Sequence, residues 1–210
     1  MKNKNQFKSL VVSDLDISCK KMATILSDIR QEQFDEIKVV SSNLNDLMAF
    51  LIMEAAAGTC VSSIDLSDNE ISLLGFLGIL KRAVDLPDLR KLDLSYNGIV
   101  NEPDIGKYMV SLGGFEGTKL SSLNLESNYL RLNNWDIIGS LREQGLGVEF
   151  VNLSDNAFCI EQIDPVCVYY SAKSFTQYLG SMGSENETTE KLIIDCSVNN
   201  NDFDSSSDWP

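Results

Sequence analysis

A twelve-residue phrase recurs down the chain: VSSIDLSDNEIS from Val61 to Ser72, LRKLDLSYNGIV from Leu89 to Val100, LSSLNLESNYLR from Leu120 to Arg131 and VEFVNLSDNAFC from Val148 to Cys159. Each copy carries apolar residues at phrase positions 1, 4, 6 and 11 and asparagine at position 9. A fixed period constrains the fold more tightly than composition does, because one such unit cannot hide its own apolar face and must stack on its neighbours. On a short strand, positions 4 and 6 point to one side and position 5 to the other. The inward pairs are then Ile64/Leu66, Leu92/Leu94, Leu123/Leu125 and Val151/Leu153. Stacking the copies gathers them into one core, at about 1.5–3 kcal/mol per fully buried aliphatic side chain.

The asparagines Asn69, Asn97, Asn128 and Asn156 follow each strand where the backbone turns away. A side-chain amide both donates and accepts, so an inward asparagine satisfies backbone groups of its own turn and of the neighbouring one. Weaker copies flank these four. Phe7, Leu10, Val12 and Ile17 fit positions 1, 4, 6 and 11 with Leu15 in the asparagine slot, and Phe34, Ile37, Val39 and Leu44 fit again with Ser42 there. Ile194, Cys196 and Asn199 fit positions 4, 6 and 9 near the end, while Lys191 and Asn201 depart from the outer apolar positions. The slot residues Leu15, Ser42, Asn69, Asn97, Asn128, Asn156 and Asn199 are separated by 27, 27, 28, 31, 28 and 43 residues, which predicts seven strands, the last after an insertion.

Such spacings leave space for helices between the strands. Ser18 is placed to cap a helix with Met22, Ile25, Leu26 and Ile29 on one face. Asn45 is placed to cap a second, which carries Leu47, Met48, Leu51 and Ile52 and stops at Gly58. A third covers Leu73 to about Val84, ahead of Pro87; a fourth runs from Pro103, a favoured first-turn residue, to Gly113. Trp135 to Arg142 reads as a fifth, and a sixth runs from Asp164 to about Met182, with Val166, Tyr169, Tyr170, Phe175 and Tyr178 as packing residues.

This organisation resembles the ribonuclease-inhibitor-like subfamily of leucine-rich repeat proteins over roughly Phe7 to Asn199. The resemblance implies an α/β horseshoe of about seven repeats, with parallel strands on the concave face and helices on the convex face. The first two copies depart from it in lacking the asparagine, and the last helical region is overlong. The expected organisation is one repeat domain over 1–199, with a longer helical insertion at about 160–190, and a polar, acidic tail over 200–210. Fold resemblance alone assigns no activity.

Composition narrows the function. Histidine is absent, which removes a Ser-His-Asp triad, a Cys-His pair and a histidine-ligated zinc from the inventory. Gly113, Gly114 and Gly117 in SLGGFEGTKL match no phosphate-cradling loop and read as helix termination. Neither a catalytic residue, a metal site nor a cofactor is expected. The cysteines Cys19, Cys60, Cys159, Cys167 and Cys196 have no zinc-like spacing and are odd in number, so buried or inert free thiols in a reducing, cytoplasmic compartment are expected. Cys60, at a helix-to-strand join, and Cys196, at an inward position, suit small apolar packing. Of the two sequons, that at Asn152 lies within an expected strand and that at Asn186 in a loop, and neither is expected to be glycosylated. The basic opening MKNKNQFK runs directly into the first copy, unlike a cleaved secretory signal, and the apolar stretch from Ile71 to Leu80 is too short to span a bilayer.

Net charge is −14, from 17 basic and 31 acidic residues, and Leu132 to Pro210 holds 3 of the former and 13 of the latter. Nucleic acid and anionic membrane are disfavoured as partners, since both are bound largely through Lys and Arg. Phrase positions 3, 5, 7 and 8 are expected to face outward from the strand layer. With strands about 4.8 Å apart, Asp65 and Asp93 become neighbours, joined by Asp68, Glu126 and Asp155 in an acidic strip, with Tyr96 and Phe150 as aromatic contacts and Asn124 and Asn152 as polar ones. The expected function is non-enzymatic: a concave face that grips a partner protein with a basic or polar surface. The bland alternative is a solvated face whose acids keep the molecule soluble. Strand edges at both ends of the sheet leave self-association open.

Three further readings come from resemblance. Glu185, Glu187 and Glu190, followed by the tail NNNDFDSSSDWP, are similar in composition to the C-terminal signals of effectors that intracellular bacteria translocate into host cytoplasm. Ribonuclease-inhibitor-like repeats also occur in proteins that activate a small GTPase, although seven strands are few for that role. Some bacterial leucine-rich repeat proteins carry a cysteine-dependent ligase or transferase, but in a separate catalytic domain, whereas Cys159, Cys167 and Cys196 fall within or beside the copies here.

Overall fold

A computed structural model of the chain describes residues 7–100, 114–130, 141, 144–156 and the backbone of 193–195. Among the described residues seven strands form one sheet: β1 (Ser9–Ser13), β2 (Glu36–Val40), β3 (Ser63–Asp65), β4 (Lys91–Asp93), β5 (Ser122–Asn124), β6 (Phe150–Asn152) and β7 (Ile193–Asp195). They lie side by side in chain order, and every pair is parallel. The register follows the phrase: Leu10, Ile37, Ile64, Leu92, Leu123, Val151 and Ile194 form one row across the sheet. The strand before the insertion and the strand after it are therefore neighbours, as the spacing predicts.

Parallel strands need a crossover between them. Three described helices supply it: α1 (Cys19–Gln31), α2 (Asp46–Ala56) and α3 (Leu73–Ala83). Phrase position 12 starts each one. Ser18 Oγ accepts from Lys21 N–H (3.4 Å), Asn45 Oδ1 from Met48 N–H (3.0 Å) and Ser72 Oγ from Leu74 N–H (3.2 Å), satisfying amides that a helix end leaves open. On α1 the buried residues are Met22, Ile25, Leu26 and Ile29, the stripe expected from the sequence. On α2 the expected stripe is offset. Leu47 is exposed and Met48 and Leu51 are half-buried, while Ala49, Ile52, Met53 and Ala56 form the buried face. Helices approach closely over small residues, and α2 is the middle of the described helices, packed on α1 and α3; alanines therefore share the inner face with Ile52 and Met53, and Leu47 is displaced outward. Gly58, at φ +74°, takes the left-handed conformation just past the end of α2.

The core lies between the sheet and this row of helices. Phrase positions 1, 4, 6 and 11 of the central copies, from Val61, Ile64, Leu66 and Ile71 through Val148, Val151 and Leu153, are all buried. The first copy departs from expectation: Phe7 is exposed and Leu10 half-buried, because β1 has a neighbour on one side only. Cys19 and Cys60 are both exposed, which corrects the expectation that Cys60 serves as apolar packing. The helices expected at Pro103–Gly113 and Asp164–Met182 lie outside the described residues, as does Trp135–Arg142 apart from the buried Leu141. Cys159, Cys167, Cys196, Asn199 and the tail 200–210 also lie outside them. No helix among the described residues is long and apolar enough to cross a membrane.

Candidate functional site

Each strand hands over to its turn through a repeated set of hydrogen bonds. At phrase position 5, Asp65 Oδ1 accepts from the N–H of Ser67 (3.1 Å) and its hydroxyl (2.7 Å), and Asp93 Oδ1 accepts from Ser95 in the same way (2.9 and 2.6 Å). Asn124 Oδ1 accepts from Glu126 N–H (3.1 Å), and Asn152 Oδ1 from Ser154 N–H (3.0 Å) and from its hydroxyl. One oxygen of each of these four side chains thus closes an Asx turn. The other atom of the group faces the adjacent strand.

That second set of contacts explains how Asp65 and Asp93 sit as register partners without a cation between them. Asp65 Oδ2 leans toward Lys38 Nζ (4.0 Å), and Asp93 Oδ2 accepts from Asn124 Nδ2 (2.9 Å). Further along, Glu126 Oε2 accepts from Asn152 Nδ2 (3.1 Å). Of the expected acidic strip, the register sets Asp65 beside Asp93, and Asp65, Asp93 and Glu126 each have a structural partner. Phe150 is half-buried in β6 beside Ser122 of β5, less open than an aromatic anchor was expected to be.

One outward assignment needs correction, and a second keeps its exposure but moves from strand to turn. Position 7 is drawn inward where it is serine beside a position-5 acceptor: Ser95 and Ser154 are buried and Ser67 is half-buried, held back by Asp93, Asn152 and Asp65. Position 8 is not a strand residue. Asp14, Ser41, Asp68, Tyr96, Ser127 and Asp155 all have φ between +50° and +55°, the left-handed conformation that reverses the chain after each strand. Aspartate and serine suit that place; a bulky Tyr96 is an outlier in the column.

Beneath this turn lies the asparagine ladder. Asn97 Oδ1 accepts from Ile71 N–H of the preceding turn (2.9 Å), while Nδ2 donates to the carbonyls of Leu66, Leu94 and Ser95 (each 3.1 Å). Asn69, Asn128 and Asn156 repeat the arrangement, Asn69 accepting from both Ser42 and Leu44 N–H (3.0 Å each). Each amide ties its own turn to the one before it, as expected. Leu15 needs no such amide, because no earlier described strand precedes its turn in the sheet, and the Ser42 hydroxyl bonds its own turn through Val40 O (2.7 Å).

The turns of β3, β4 and β5 frame a groove of about 520 Å³. Position 8 supplies Asp68, Tyr96 and Ser127 to its lining, and position 10 supplies Glu70, Gly98 and Tyr129. Asp68 and Tyr96 were singled out by the sequence; Glu70, Gly98 and Tyr129 were not, because position 10 follows the asparagine and lies outside the strand. The available signal was the contrast at that one position among Glu70, Gly98 and Tyr129 in otherwise similar phrases. Tyr96 and Tyr129 are 55% and 58% exposed. Among the described residues, no group of three or more carboxylates and thiols is arranged to hold a metal ion.

No family model matches the chain, and no curated protein matches it. A solved structure titled "Leiomodin-1 Actin-Binding Site 2 (ABS2)" matches at 17% identity and a TM-score of 0.48, covering 65% of this chain and 80% of that chain.

Proposed function

We propose that the chain is a leucine-rich repeat solenoid of the ribonuclease-inhibitor-like type, with about seven repeats, and that it works without catalysis as a protein-interaction module. Its open strand face and the turns beside it take a partner protein with a basic or polar surface. The observation that carries this reading is the register column in which Asp65 stands beside Asp93, followed by Asn124 and Asn152, a row of polar groups facing away from the core. Residues 28 and more positions apart in sequence reach one surface, which suits recognition of a second macromolecule rather than a small substrate. The acidic balance of the chain supports a basic partner, since charge steers encounter and selects against acidic surfaces. The glutamate-rich composition toward the C-terminus supports a narrower reading, an effector acting on a host protein in the cytoplasm.

Affinity capture tests the proposal. Partners held by the wild-type chain are expected to be lost by the triple variant Asp65→Lys, Asp93→Lys, Glu126→Lys, with circular dichroism establishing that the variant remains folded. Capture of the same partners by a folded triple variant would remove the strand face from the proposal.

A further inference from the structure

We infer that the groove between the turns of β3, β4 and β5 receives an arginine side chain of the bound protein. This inference rests on the protein-binding reading above and names the chemistry of one contact. The groove has aromatic lining from Tyr96 and Tyr129, and both rings are more than half exposed. It has acidic lining from Asp68 and Glu70. Among the described residues neither carboxylate makes an ion pair: Asp68 Oδ2 accepts from the Ser41 hydroxyl at 2.6 Å, and every lysine or arginine in a described pair is engaged elsewhere. Rings that present a negative face, next to carboxylates without a cation, fit a planar and weakly hydrated guanidinium. A phosphate or carboxylate ligand would meet the same two acids and be repelled.

Gly98 is the second, independent observation. It occupies position 10 between Glu70 and Tyr129, so it forms the part of the groove that lacks a side chain. Its backbone does not require glycine: its φ lies in the ordinary range, and an added Cβ would meet nothing nearer than the Ile71 carbonyl at 3.6 Å. The fold accepts a side chain here, and glycine leaves space instead. Tyr96 points the same way, since it holds a large exposed ring in a left-handed conformation where the other turns use aspartate or serine.

The probe is N-acetyl-argininamide against its neutral isostere N-acetyl-citrullinamide, titrated into the full chain carrying 3-fluorotyrosine and followed by fluorine NMR. Saturable shifts of the Tyr96 and Tyr129 signals are expected, at least tenfold tighter for the arginine compound. Gly98→Gln should weaken that response at least tenfold without changing the unfolding temperature. Should Gly98→Gln prove less stable, Glu70→Gln serves instead, and loss of the preference for arginine over citrulline is expected. Absence of saturable shifts at the two tyrosines, an equal response to citrulline, or undiminished binding by a folded Gly98→Gln chain would each overturn the assignment. An absent arginine response together with partner capture that is still abolished by the triple strand-face variant would overturn this inference alone.

Discussion

Two adjacent residues at the turn of β4 carry opposite balances of stability. Asn97 is buried with all its amide capacity used: its oxygen takes the Ile71 N–H, and its nitrogen serves three carbonyls. Replacing it with alanine leaves these backbone groups without partners in a place closed to water, at a cost of about 1–3 kcal/mol. Tyr96 is mostly exposed and sits at φ +54°. Asparagine tolerates that conformation where tyrosine does not, so Tyr96→Asn should stabilise by about 1 kcal/mol. Urea unfolding of the two variants should move the midpoint down for Asn97→Ala and up for Tyr96→Asn; a destabilised Tyr96→Asn would mean that the ring contributes packing the turn depends on. The asparagine was legible in the sequence because donor and acceptor are both needed where two turns meet. The left-handed turn was not, since Asp14, Ser41, Asp68, Tyr96, Ser127 and Asp155 share a column without a single glycine to announce it.

At the scale of elements, the contact between α2 and α3 turns on a glycine that helix propensity alone disfavours. Asp46, in the first turn of α2, accepts from Ser72 N–H (2.7 Å) and from the Ser72 hydroxyl (2.6 Å), which ties it to the cap of α3. A Cβ on Gly75 would overlap that carboxylate and crowd Ile71. Gly78, one turn further along α3, faces open space apart from Phe50 Cδ2 at 3.8 Å. The same substitution therefore has two signs. Gly75→Ala should destabilise by about 1–3 kcal/mol through overpacking, whereas Gly78→Ala should stabilise by about 0.5–1 kcal/mol by removing the entropic cost of glycine in a helix. Thermal unfolding of the pair is the measurement, and equal shifts would show that propensity rather than the Asp46 contact decides. These contacts mark where reading by sequence ends. The stripe on α1 was legible because it packs through large residues; that on α2 was read in part, Ile52 rightly, because alanines share its inner face with Ile52 and Met53 while Leu47 is exposed and Leu51 half-buried.

Across the whole molecule, the order of the seven described parallel strands was legible because equal phrases at similar intervals have only one way to share a core, even where the last two slot residues, Asn156 and Asn199, stand 43 residues apart. A partner for the proposed face was not, because the carboxylates that close the turns of Asp65 and Asp93 are the same atoms that a partner would meet. Charge separates these uses. The chain carries −14 overall, and the register sets Asp65 against Asp93. Against this repulsion stand five described ion-pair contacts made by Lys8, Lys38 and Arg82, with exposed or half-exposed partners, each worth about 0.2–1 kcal/mol at most. The excess of acid outweighs them, so screening should help the folded state: as salt rises from about 10 mM to 500 mM and the Debye length shrinks from about 30 Å to a few ångströms, the unfolding temperature should rise. Binding of the proposed arginine-bearing partner would draw on the same field with the opposite sign, and its affinity should fall over the same range. Thermal unfolding and binding titrations along one salt series make the comparison. If both quantities fell together, the few cation contacts would outweigh the acidic excess, and the charge of this face would serve the fold before it serves a partner.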